Sequence, residues 1–140
     1  MVFSLFERFN KHPFILFVMV NVLFVEDEES VARGWARYLK RYGHECTIAH
    51  DGLAGLELLA QDSVQPDIIF CDFNMPRMDG YRFTRAVRTD LRYKAHQNVP
   101  IVGVGDFPED KKEHLTYGDC MPKPFTPDAL IASIQIYCPQ

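Results

Sequence analysis

A repeated alternation constrains this chain most: short apolar runs, each followed by a segment whose apolar residues recur every three or four positions. Val20–Val25, Ile68–Cys71 and Ile101–Val104 are almost wholly apolar, as expected of strands covered on both faces. Glu45–Ala49 reads as a further short strand, and Cys120-Met121 as the centre of another. Between the runs, Val31, Trp35, Leu39 and Tyr42 mark a helix over 30–42 that Gly43 can close. Leu53, Leu56, Leu59 and Ala60 mark a second after the turn at Asp51-Gly52, and Phe83, Val87 and Leu91 a third. A short charged helix is expected over 109–117. Thr126-Pro127-Asp128 then starts a last helix, a cap followed by proline at the first helical position, which carries Leu130, Ile131, Ile134 and Tyr137. These elements make five βα units, and right-handed crossovers place the strands in one parallel sheet with helices on both faces.

At 140 residues there is length for one domain and little more. A formal charge of −4 sets the chain apart from generic nucleic-acid binders, which carry a basic excess. Cys46, Cys71, Cys120 and Cys138 form no CxxC pair. They read as reduced thiols of a cytoplasmic protein, with no structural zinc site. The apolar stretch that starts at Phe14 is interrupted at Asn21 and ends at Glu26-Asp27-Glu28-Glu29, short of the roughly 20 apolar residues a membrane span needs. No small-residue cleavage site follows it, so it is no secretory signal. The expected division is an N-terminal extension over 1–19 and a folded domain over 20–138. In the extension, Ser4 and Glu7 are spaced to cap a short helix carrying Phe6 and Phe9, closed by Pro13.

In a doubly wound sheet the functional crevice lies at the carboxyl ends of the strands. The residues there are Glu26-Asp27, Asp72, Gly105-Asp106 and Lys123. Three carboxylates converging at one sheet edge repel one another unless a cation neutralises them. A hard divalent cation with oxygen ligands, Mg²⁺ above all, suits such a cluster and leaves room for a phosphate oxygen. Lys123 adds a fixed positive charge. Carboxylate, metal and lysine together can accept a phosphoryl group, the carboxylate as nucleophile and the cations offsetting charge on the phosphoryl oxygens.

Three motifs now stand in order: Val-Glu-Asp-Glu at 25–28, Asp-Phe-Asn-Met-Pro-Arg-Met-Asp-Gly at 72–80 and Lys-Pro-Phe at 123–125. Asp27 and Asp72 are 45 residues apart, and Asp72 and Lys123 are 51 apart. In these motifs the chain resembles the response-regulator receiver domain of two-component signalling. The resemblance implies a flavodoxin-like (βα)5 fold with strand order 2-1-3-4-5. It implies Asp72 as the phosphorylated aspartate, Asp27 as a direct Mg²⁺ ligand, Glu26 acting through water and the Asn74 backbone carbonyl as a third metal contact. Lys123 would contact the phosphoryl group. The implied partners are a histidine kinase or histidine phosphotransfer protein as donor and a downstream effector protein, with no nucleic acid and no enzymatic turnover.

Two positions depart from the family pattern. Such domains end the fourth strand with Thr or Ser, which hydrogen-bonds the phosphoryl oxygen; here Gly105 stands there, followed by Asp106. An aromatic residue three positions before the lysine is replaced by Cys120. The usual hydroxyl–aromatic switch is therefore missing, and phosphate contact at Gly105 and Asp106 falls to backbone N–H groups. The segment from Gly105 to Lys123 is also about one helical turn short, which places the loss in the fourth helix.

Two other functions compete with this one. A degenerate receiver would serve as a binding module that is never phosphorylated; Gly105 and Cys120 favour it, while Asp27, Asp72 and Lys123 oppose it. A phosphatase of the haloacid dehalogenase type would need a second Asp two residues after the nucleophile as general acid, where Asn74 stands. Local accounts suffice elsewhere. Asp79-Gly80 reads as turn chemistry, Cys71 and Trp35 as core, and Arg82, Arg85, Arg88 and Arg92 as a solvated basic face. The five histidines show no ligand spacing.

Overall fold

The apolar runs do form one parallel sheet. In a computed structural model, which describes residues 18–139, the strands are β1 (Asn21–Val25), β2 (Glu45–Ala49), β3 (Ile68–Asp72), β4 (Ile101–Val104) and β5 (Cys120–Met121). Their order is β2-β1-β3-β4-β5, the expected flavodoxin-like arrangement. Val25 pairs with Ala49 on one side and Cys71 on the other, and Asp72 pairs with Val104. The ends of β1, β3 and β4 therefore lie in one row, and whatever follows them emerges at one edge.

Among the described residues, four α-helices cover the sheet: α1 (Glu29–Arg41), α2 (Gly52–Leu59), α3 (Gly80–Thr89) and α4 (Pro127–Tyr137). The alternation of side chains along each strand divides the core into two layers. Leu23, Val25, Ile69, Cys71 and Ile101 face Leu56, Leu59, Phe83 and Val87 of α2 and α3. Val22, Phe24, Ile68, Phe70 and Val102 face Leu39, Leu130 and Ile134 of α1 and α4. Side-chain caps start three of the helices. Asp51 accepts from the Ala54 N–H, Asp79 from the Arg82 N–H and Thr126 from the Ala129 N–H, at 2.8, 2.8 and 3.2 Å.

Four local expectations differ from what forms. Residues 109–117 hold no α-helix; two 3₁₀ turns, Glu109–Lys111 and Thr116–Gly118, make the connection instead. Leu115 is the one residue of that stretch that is buried, so a helix there would have no apolar stripe to cover. The third helix ends at Thr89, and Leu91 stands exposed at the start of a separate 3₁₀ turn. Trp35 sits at the rim of the core rather than inside it, stacked on Phe125 with ring centroids 4.4 Å apart. Arg88 leaves the basic stripe: its guanidinium is half-buried and donates to Gln97 O, His114 O and Thr116 Oγ1. The helix expected around Ser4 and Glu7 lies outside the described residues. Among those described, no helix is long and apolar enough to cross a membrane.

Candidate functional site

Two strands that end at the row, β1 and β3, each deliver a carboxylate directly after the apolar run that fixes it. Glu26 follows β1 and Asp72 closes β3; both are buried. Asp27, next in the chain, is exposed. Oxygens of Glu26, Asp27 and Asp72 all lie within 4.8 Å of one another. Lys123, two residues past β5, crosses to this cluster. Its Nζ donates to Asp72 Oδ2 at 3.0 Å and to Glu26 Oε2 at 3.1 Å, and the peptide bond that follows it, to Pro124, is cis. The other Glu26 oxygen accepts from the Glu28 N–H at 3.2 Å.

Burial raises the pKa of Glu26, and the neighbouring Asp72 charge adds to the rise, against the lowering by the Glu28 N–H and Lys123. Burial also pulls the Lys123 ammonium down, but its hydrogen bonds to Asp72 and Glu26 more than reverse this, so its net shift is upward. One ammonium thus faces three carboxylates, and the donor set is all oxygen. That excess of negative charge, half closed off and half open at Asp27, fits a hard divalent cation. No other group of three or more His, Cys, Asp or Glu side chains among the described residues could hold a metal.

Asn74 lies exposed two residues after Asp72. The loop it belongs to is closed by Asp79 and Gly80. The Gly80 N–H donates to Phe73 O at 2.7 Å, and a Cβ at Gly80 would collide with the Asp72 carbonyl oxygen. Asp79-Gly80 is the turn expected, with glycine required by close backbone approach.

Gly105 borders the site. A Cβ there would lie 3.4 Å from Asp72 Oδ1 and 3.7 Å from Lys123 Cδ, but its backbone is left-handed at φ 86°. Its N–H is already committed to Met121 O at 2.8 Å. Asp106 is exposed. Cys120 donates its thiol to Gly105 O at 3.1 Å. Phe107 is buried against Phe73, with ring centroids 5.0 Å apart, and a Cβ at Gly103 would meet both Cys120 Sγ and the Phe107 ring. An aromatic ring does fill the interior beside Cys120, but it comes from the loop after β4. Cys71 is in the core as expected.

Sequence reasoning missed three features. Lys123 bridges two carboxylates, Asp72 and Glu26. Arg77 forms an ion pair with Asp51. A groove of about 680 Å³ opens beside Lys123, lined by Val31, Trp35, Tyr38, Pro124 and Phe125 among others. The aromatic content of α1 and of the Lys-Pro-Phe motif was the available signal for the groove.

Comparison with known proteins agrees with this architecture. The family model for the response regulator receiver domain matches residues 22–135. The sensor histidine kinase RcsC of Salmonella typhi is 35% identical over 120 residues, which are 83% of this chain and 12% of that protein. The response regulator MprA of Mycobacterium ulcerans is 32% identical over 120 residues, covering 83% of this chain and 49% of that protein. The chain thus spans half or less of the length of these relatives. The solved structure of the chemotaxis protein CheY4 of Vibrio cholerae superposes with a TM-score of 0.71 at 30% identity, covering 86% of this chain and 99% of that one. The sheet order, the acidic edge and a family match running from β1 into α4 agree with one another: the chain belongs to the response regulator receiver domains of two-component signalling.

Proposed function

We propose that the domain takes a phosphoryl group onto Asp72 from a phosphohistidine of a histidine kinase or phosphotransfer protein, and then signals to an effector protein by contact. The observation that carries this reading is the Lys123 ammonium, 3.0 Å from Asp72 Oδ2 and steadied from behind by buried Glu26. A carboxylate oxygen of Asp72 attacks phosphorus, and a P–O bond forms as the P–N bond breaks. The imidazole keeps the electron pair and leaves neutral, its proton on the other nitrogen. Lys123 offsets the charge on the phosphoryl oxygens. Bound Mg²⁺, held by Asp27, Asp72 and the Asn74 carbonyl with Glu26 acting through water, would supply the remaining positive charge.

With the Gly105 N–H committed to β5, the Asp106 N–H is the next backbone donor for the phosphoryl group. The groove beside Lys123 offers apolar surface for the donor protein, and a cytoplasmic setting follows from the kinase partner. In this reading residues 20–138 are the receiver and 1–19 an extension. Gly105 and Cys120 make the conformational switch atypical, and they favour one second reading, a binding module that works without phosphorylation.

Intact-mass measurement after incubation with acetyl phosphate and Mg²⁺ separates the two. The wild type is expected to gain one phosphoryl group and Asp72→Asn none. An unlabelled wild type would refute the phosphoacceptor reading in favour of the binding module, and a labelled Asp72→Asn would refute the choice of acceptor.

A further inference from the structure

The loop between β3 and α3 holds an arginine where backbone geometry favours glycine. Arg77 has φ 63°, a left-handed conformation that costs any residue with a Cβ. Its side chain reaches across to the turn before α2. Arg77 Nε lies 2.5 Å from Asp51 Oδ2 and Nη2 lies 3.0 Å from Asp51 Oδ1. This is the two-pronged guanidinium–carboxylate geometry that fixes direction as well as distance. Asp51 is itself immobilised, since it is buried and caps α2 through the Ala54 N–H. The next residue packs closely on the same turn: Met78 covers Gly52, where a Cβ would come within 2.8 Å of Met78 Cγ. Two consecutive residues thus bind the loop to the β2–α2 turn, while its far end is held by the Gly80-to-Phe73 hydrogen bond. Asn74 lies in the span between.

We infer that the Arg77–Asp51 pair is a latch that positions the loop bearing Asn74 for the cation and phosphoryl group at Asp72, which makes Arg77 a positioning residue. The inference rests on the phosphoacceptor reading above. The arginine side chain is more than half exposed, so the pair adds little to global stability. Its consequence is local order: without it, a loop holding a left-handed residue keeps that cost and loses its ion-paired attachment to the β2–α2 turn.

The test compares the unaltered 140-residue chain with Arg77→Met, Arg77→Lys and Asp51→Asn. Asparagine at 51 still caps α2 but no longer offers the paired charge. Isothermal titration gives the Mg²⁺ Kd, intact mass gives the rate of labelling by acetyl phosphate, and thermal unfolding reports the fold. Arg77→Met and Asp51→Asn are expected to weaken Mg²⁺ binding roughly tenfold, the lower end of what loss of an outer-shell partner costs. Both should slow labelling at a fixed, non-saturating Mg²⁺ concentration and approach the wild-type rate at saturation. Arg77→Lys, which keeps the charge without the fork, should fall between. Wild-type Mg²⁺ affinity in a folded Arg77→Met or Asp51→Asn, alongside a wild type that labels normally, would overturn the latch and leave the phosphoacceptor reading standing. A wild type that neither binds Mg²⁺ nor labels would overturn both.

Discussion

At the scale of single residues, Gly105 shows how backbone geometry can override side-chain chemistry. There is space for a Cβ beside Asp72, yet φ 86° excludes a β-branched residue. Gly105→Thr is therefore expected to lose about 1–3 kcal/mol of stability, read by urea unfolding, rather than to regain the family's hydroxyl. An equally stable variant would contradict the left-handed geometry. The meeting of Asp27, Asp72 and Lys123 was legible in the sequence because a parallel sheet gathers the residues that follow its strands at one edge. Arg77 was not legible. Its meaning depends on a loop conformation and on Asp51, which lies 26 residues away, and residue type announces neither.

Among the elements, the fourth crossover is where sequence and structure part. The residues over 109–117 are charged enough to suggest a surface helix, but with Leu115 alone buried there is nothing amphipathic to dock. The strands and the other helices were legible because their apolar periods are strong. What replaces the missing helix is held by polar staples that no period encodes. Arg88 on α3 donates to His114 O at 3.2 Å, Thr116 Oγ1 at 3.3 Å and Gln97 O at 2.8 Å. Arg88→Ala is expected to cost about 2–3 kcal/mol in chemical unfolding, since half-buried carbonyls lose charged donors. Arg88→Lys should recover little of this, because an ammonium cannot reproduce the fork. Full rescue by lysine would show that charge alone matters there.

For the molecule as a whole, the sheet order turns scattered motifs into one edge, and stability depends on pH through contacts far from that edge. His44 is buried, and its Nδ1 accepts the Val20 N–H at 3.2 Å where the chain enters β1. Burial lowers its pKa from the usual 6.5. A pKa lower in the folded state than in the unfolded one gives stability that is present above the unfolded value and is lost as pH falls through the folded one. As pH falls below about 6.5, the unfolding free energy should therefore drop through this group. His44→Asn should flatten the drop in a pH series of thermal midpoints, and an unchanged slope would contradict the assignment. Whether the carboxyl end of β3 presents a phosphoacceptor is decided by reducing the acetyl-phosphate-treated chain with borohydride and locating the reduced aspartate by tandem mass spectrometry. Conversion is expected at position 72 and only in the presence of Mg²⁺. Conversion at any other residue, or equal conversion at 72 with the cation chelated, would contradict this expectation.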